Sequence, residues 1–308
     1  MVLLPQEIPN LDARGEVPNP APSGVPLGAH LVRCLDFSKL LIKHGRYYPD
    51  LLSYFSCYVH LTSTKLYPED KVGYLQIGSM ANPSDYHSQI MSFYQSIADY
   101  NHLIIDIRGN AGGNDNFWLE EIVFPLLKEQ TDLSVYYAFN DKAIYSHKFR
   151  ELNNVTEIVS KADFDYLPPE TLSDDVKIYN KSYSIPVQPN TVAFNGSISV
   201  LTDKIIYSSS ETFAAFCKIT GFAKLYGTST GGDGIGDKTY FTLPNSKLVI
   251  CFSYILGLFP SGYANEEIHT PPDVYYESSA GNWTELIDFT IKNITKSPQE
   301  SPVHSGQG

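Results

Sequence analysis

Ser208, Ser209 and Ser210 lie between an apolar run over residues 198–201 and a segment where Phe213, Phe216 and Cys217 recur at helical spacing. A serine there can do two kinds of work. Unpaired N–H groups and the macrodipole favour negative charge at a helix N-terminus, so a hydroxyl held there is helped towards an alkoxide and an oxyanion beside it is stabilised. Serine is equally a preferred N-cap, which involves no chemistry. A second candidate follows an apolar strand: Gly109-Asn110-Ala111-Gly112-Gly113. It reads either as a turn needing positive φ or as bare backbone N–H groups facing a ligand. It is neither the G-x-G-x-x-G fingerprint nor a phosphate loop ending in Gly-Lys-Ser/Thr, so nucleotide binding is disfavoured.

The elements that must carry these residues alternate. Residues 72–77 form a strand candidate, and Pro83-Ser84-Asp85 opens a helix with Ile90, Phe93, Tyr94 and Ile97 on one face. Residues 103–108 follow as an apolar strand of the kind buried on both faces, which implies a parallel crossover. A helix begins near Asp115 with Ile122, Val123, Leu126 and Leu127 as its buried stripe. Residues 131–190 contain a strand over 133–139 and a polar stretch, and read as an insertion able to shape or cover a site. After the serines come a short strand at 223–227, a glycine-rich loop at 228–236, and a hairpin of 238–243 with 247–252 around Pro244-Asn245-Ser246.

Residues 1–69 read as a Pro-rich arm followed by a small aromatic segment, residues 70–290 as the core domain, and residues 291–308 as a polar tail. Composition narrows the partners. With 308 residues and a formal charge of -12, the chain can bury a large core but offers no attraction to nucleic acid or anionic membrane. Its four cysteines lack C-x-x-C spacing, so neither a metal site nor a disulfide framework is expected, and no cofactor is implied. No apolar run is long enough for a transmembrane helix, and Met1-Val2-Leu3-Leu4-Pro5 is too short for a signal peptide. The 22 tyrosines could support self-association or peptide contacts.

In order along the chain stand Asp106-Ile-Arg-Gly-Asn-Ala-Gly-Gly113, Val200-Leu-Thr-Asp203 with Ser208-Ser-Ser-Glu211, Gly227-Thr-Ser-Thr-Gly-Gly-Asp-Gly234 and Pro272-Asp-Val274. This set resembles the tail-specific (C-terminal processing) protease superfamily, which includes the tricorn core, over about residues 70–277. The resemblance implies an α/β fold of the ClpP/crotonase-like type, a spiral of β-β-α units, here with a partly irregular N-terminal segment. It also implies a serine-type endopeptidase or carboxy-terminal processing peptidase acting on peptides or unfolded protein, in a periplasmic or extracytoplasmic setting.

Carried across position by position, the nucleophile falls on Ser208, three residues before Glu211. The oxyanion hole falls on the N–H groups of Ser209 and Gly112, or of Gly113 beside it. The tail-specific branch uses a lysine base where this chain has Asp233, and a carboxylate of ordinary pKa is a poor base for a serine hydroxyl. The Thr-x-Gly-Gly form resembles the tricorn-like branch instead, which implies a histidine base from an upstream segment and a supporting glutamate six residues before Pro272, at Glu266. The family's Asp-Gly-His segment is missing; His30, in Gly28-Ala-His30, lies nearest its place, with His60, His87 and His269 as rivals. The missing tripeptide and Asp233 also suit a degenerate member of the fold that binds peptides or ligands without cleaving them. An acyl-CoA enzyme of the crotonase type would leave Ser208 without a role.

Overall fold

The order of strands in the main sheet explains why distant parts of the sequence meet. A computed structural model describes residues 62–295 apart from 81, 190, 280 and 281. All of these belong to one unit, Val59–Gly308, while the other unit, Met1–Tyr58, lies outside the described residues, as do the tail beyond 295 and the candidates His30 and His60.

The main sheet has six strands: β1 (Thr62–Tyr67), β2 (Val72–Ile77), β3 (His102–Asp106), β7 (Ser197–Thr202), β8 (Lys224–Gly227) and β11 (Val274–Tyr275), side by side in that order. Only the β1–β2 pair is antiparallel; β2, β3, β7, β8 and β11 all run the same way. Helices cover both faces. On one lie α1 (His87–Ser96), α2 (Asp115–Trp118, continued by a π turn Leu119–Val123 and Phe124–Leu126) and α4 (Ser209–Thr220). Leu103, Ile105 and Val200 point into this layer among Phe93, Trp118, Phe213 and Phe216. The opposite faces of the same strands, Ile104 and Leu201, pack with Leu286, Ile287 and Ile291 of α6 (Glu285–Thr295). Burial on two faces is why residues 103–105 read as a continuous apolar run. The expected buried stripe of Ile122, Val123, Leu126 and Leu127 is observed, as is the parallel pairing of β2 with β3. The result is the α/β fold expected from the sequence.

A second sheet is antiparallel throughout, in the order β5 (Glu157–Val159), β6 (Val176–Ile185), β4 (Thr131–Asn140), β10 (Val249–Leu258) and β9 (Gly236–Thr242). Residues 131–185 therefore supply three strands of a sheet that the 236–258 hairpin completes. A short helix α3 (Ile144–Asn153) joins β4 to β5, and Val135 and Ile235 pack with Ala215 of α4. The second sheet thus rests on the helix that begins beside Ser208.

Candidate active site

Strands β3, β7 and β8 are adjacent and parallel, so the loops leaving their carboxyl ends open on the same edge of the sheet, the usual ligand edge of such sheets. Those loops are residues 107–114, 203–208 and 228–235, which hold three of the motifs singled out above. They are laced together by bonds from main-chain N–H groups: Gly109 N–H donates to the Asp203 carboxylate Oδ1 at 3.0 Å, Tyr207 N–H to the Asn110 carbonyl at 3.3 Å, and Gly231 N–H to the Ile206 carbonyl at 2.8 Å. Burial raises the Asp203 carboxyl, while the Gly109 and Ile205 N–H groups pull it back towards the charged form.

Ser208 is the residue that breaks the local pattern. It sits at φ 55° and ψ -128°, a conformation that costs a non-glycine residue strain, and it immediately precedes α4. Its side chain caps nothing: the hydroxyl makes no hydrogen bond to the helix N–H groups, although its carbonyl accepts from Thr212 N–H at 2.8 Å. The ordinary capping role is thus set aside, and the strand–strained serine–helix arrangement is the kind that lifts a nucleophile out of the backbone. Gly112 comes so close that a Cβ there would lie 2.7 Å from Ser208 Cβ and 3.0 Å from Ser209 N. Only glycine, at its φ of 101°, fits.

The loop that brings Gly112 here is held from below. Asn110, fully buried, donates from Nδ2 to the Ile77 carbonyl at 2.9 Å and accepts the Gly112 N–H on Oδ1 at 2.9 Å. Among the described residues, the N–H groups of Ser209 and Gly113 have no acceptor. Arg108 grips Asp106 through Nε (2.9 Å) and Nη2 (2.6 Å), and Tyr74 donates its O–H to the same carboxylate at 2.8 Å. The guanidinium lies 4.2 Å from the Trp283 ring centre.

On the other side stands an acidic group. Glu211, fully buried in the first turn of α4, accepts at Oε1 from Asn265 Nδ2 and from Thr270 Oγ1, both at 2.7 Å, and its Oε2 has no partner among the described residues. Asn265 begins α5 (Asn265–Ile268), which carries Glu266, and its Oδ1 also accepts the Gly234 N–H at 3.1 Å. Burial and then the Asp233 charge raise the Glu266 carboxyl, opposed by the Asp233 N–H and by His269. His269 follows, its Nδ1 bonded to the Thr230 carbonyl at 2.8 Å. Tyr207 closes one flank: its ring lies across Gly231, where a Cβ would come within 2.3 Å of Cε1.

Ser208, Ser209, Gly112 and Gly113 thus come together in space, and Glu266 is tied to α4, the helix that follows Ser208, through Asn265 and Glu211. Asp233 lies in the loop beside Glu266. His87 does not join them; its Nδ1 is bonded to Glu121, a buried acid on the π turn, at 3.0 Å. His102 starts β3, at the far end of the strand from these loops, and pairs with Ser197. Sequence reasoning missed Asn110, Asn265, Thr230 and Thr270, which position the others. The signal available was their adjacency to the glycine loop, to Glu266 and to the Thr-x-Gly-Gly motif.

A model of the peptidase family S41 matches residues 71–276, well over half of the chain. No curated protein matches in sequence. Among solved structures, a putative peptidase from Parabacteroides merdae ATCC 43184 is similar at a TM-score of 0.55 and 17% identity, over 79% of this chain and 67% of that one. Mature CPAF is similar at 0.52 and 16% identity, over 76% of this chain and 53% of its own, so this chain spans about half of that protein's length. Both likenesses are of fold. Four ordered motifs, a strained serine between strand and helix and the match over residues 71–276 agree: the chain belongs to peptidase family S41, a family of serine peptidases.

Proposed function

We propose that this chain hydrolyses peptide bonds through an acyl-enzyme on Ser208. A histidine takes the hydroxyl proton, Glu266 supports the charge that forms on it, and main-chain N–H groups hold the tetrahedral oxyanion. Ser209 supplies one donor in this reading. The second comes from the Gly112–Gly113 segment: Gly112 N–H would have to leave Asn110 Oδ1 to serve, whereas Gly113 N–H is already free of any described acceptor. The proton acceptor that the resemblance implies, His30, lies outside the described residues. Substrates in this reading are peptides or unfolded protein, cut internally or near a carboxyl terminus.

One observation carries the reading: Ser208 is held at a strained φ, caps no helix, and has the Gly112 backbone pressed against it. A fluorophosphonate tests it, with the adduct mapped by mass spectrometry. Labelling at Ser208 that disappears in Ser208→Ala is expected. Folded protein that takes no label would favour a binding module on the same fold.

A further inference from the structure

His269 holds its backbone at φ 57° and ψ -167°, a region that only glycine enters without strain. A residue stays there when its surroundings over-determine it. Here they hold the ring. Nδ1 lies 2.8 Å from the Thr230 carbonyl oxygen, and because a carbonyl can only accept, Nδ1 carries the proton. In the neutral ring Nε2 is then the basic nitrogen, and it has no partner among the described residues.

The ring is held on the loop that flanks the nucleophile. It lies against Gly232, where a Cβ would come within 2.9 Å of Cδ2 and 3.4 Å of Nε2. Gly231 of that loop is fastened to Ile206, two residues before Ser208. Thr230 and Thr270 fix the base of the histidine with two bonds, Thr230 N–H to the Thr270 carbonyl at 3.2 Å and Thr270 N–H to Thr230 Oγ1 at 2.8 Å. Glu266 stands three residues before His269, on the short helix α5 that ends at Ile268. The Ser208 hydroxyl also makes no hydrogen bond among the described residues, and contacts of this kind commonly tighten only when substrate is bound.

We propose that His269 is the proton acceptor for Ser208, with the Thr230 carbonyl orienting its ring as a carboxylate does in Ser-His-Asp triads. The proposal rests on the reading of Ser208 as nucleophile and replaces the upstream histidine of that reading. As Ser208 Oγ bonds to the peptide carbonyl carbon, its O–H breaks and the proton passes to Nε2, while the C=O π pair moves onto oxygen. The imidazolium then gives that proton to the leaving nitrogen as the C–N bond breaks.

The test is the rate of Ser208 labelling by a fluorophosphonate across pH in the wild type, His269→Gly, His30→Ala and the exposed His147→Ala. Glycine relaxes the backbone at 269, so His269→Gly is expected to melt no lower than the wild type. Its labelling is expected to slow by about 10²–10⁴-fold, with partial recovery in added imidazole, while His147→Ala labels normally. Wild-type labelling at Ser208 together with an unchanged rate and pH profile in His269→Gly overturns the proposal and leaves the nucleophile standing. Loss of labelling in His30→Ala alone assigns the proton to the upstream histidine and also overturns it. A wild type that takes no label overturns the reading of Ser208 and this proposal with it.

Discussion

Asn265 Nδ2 donates to Glu211 Oε1 at 2.7 Å, tying the residue before Glu266 to the helix that starts one residue after Ser208. Thr270 Oγ1 reaches the same oxygen from the far side of His269. Segments more than fifty residues apart are therefore joined through one buried carboxylate. Glu211→Ala leaves two donors unpaired in the interior, at about 1–3 kcal/mol each. Glu211→Gln keeps an acceptor at Oε1, and its amide takes the place of the oxygen that has no partner. Urea unfolding should show a lowered midpoint for the alanine variant and a near-wild-type midpoint for glutamine. Equal midpoints would deny Glu211 this joining role.

Glu266 gives a dependence on pH with a definite sign. Burial and the Asp233 charge hold its carboxyl above the usual range in the folded protein. Its contribution to stability is therefore complete below the unfolded value, about 4.3, and is lost as pH rises through the folded one. Glu266→Gln removes that loss, so it should melt higher than the wild type at pH 7, with the difference closing below about pH 4. Ser208 labelling should fall at the same time. A thermal shift of the same size at both pH values would contradict the assignment.

Such a pair of effects was only partly legible in the sequence. The strands read over 72–77, 103–108 and 198–201 were readable because a sheet buried on two faces demands unbroken apolar runs; the observed β3 ends at Asp106 and β7 extends over Ser197–Thr202. The meeting of Ser208 with Gly112 was readable from the order of the motifs. The second sheet was not: β4 pairs with β6 on one side and with β10 on the other across long sequence separations, and their alternation exposes polar residues that read as an insertion. Nor was His269 readable as strained, since φ and ψ there are set by Thr230 and Gly232, which come from another loop. Asn110 looked like a turn residue, and only its contacts with Ile77 and Gly112 reveal it as the prop of that loop.

The pairing of Asp106 with Arg108 predicts a substitution that looks mild and is not. Both are almost fully buried, and the guanidinium uses Nε and Nη2 together on the two carboxylate oxygens. Arg108→Ala leaves a buried carboxylate without its counter-charge, a loss of about 3–5 kcal/mol. Arg108→Lys should recover little of it, because one ammonium cannot reproduce the planar fork or its stacking on Trp283. Denaturant midpoints decide: a lysine variant as stable as the wild type would show that charge alone suffices there.

Gly112 separates strain from contact when it is compared with Gly221. Both have positive φ, 101° and 73°, so alanine is strained at either place. At Gly221 a Cβ meets nothing within 4 Å. At Gly112 it would strike Ser208 Cβ at 2.7 Å and the Tyr207 carbonyl oxygen at 2.8 Å, and the backbone on both sides is pinned by the Asn110 bonds. Gly221→Ala should therefore cost about 1 kcal/mol and leave Ser208 labelling unchanged. Gly112→Ala should cost about 1–3 kcal/mol and, because it displaces the hydroxyl, slow labelling by about 10²-fold. If the two variants lose stability equally and both label at the wild-type rate, the close approach of Gly112 has no part in the chemistry.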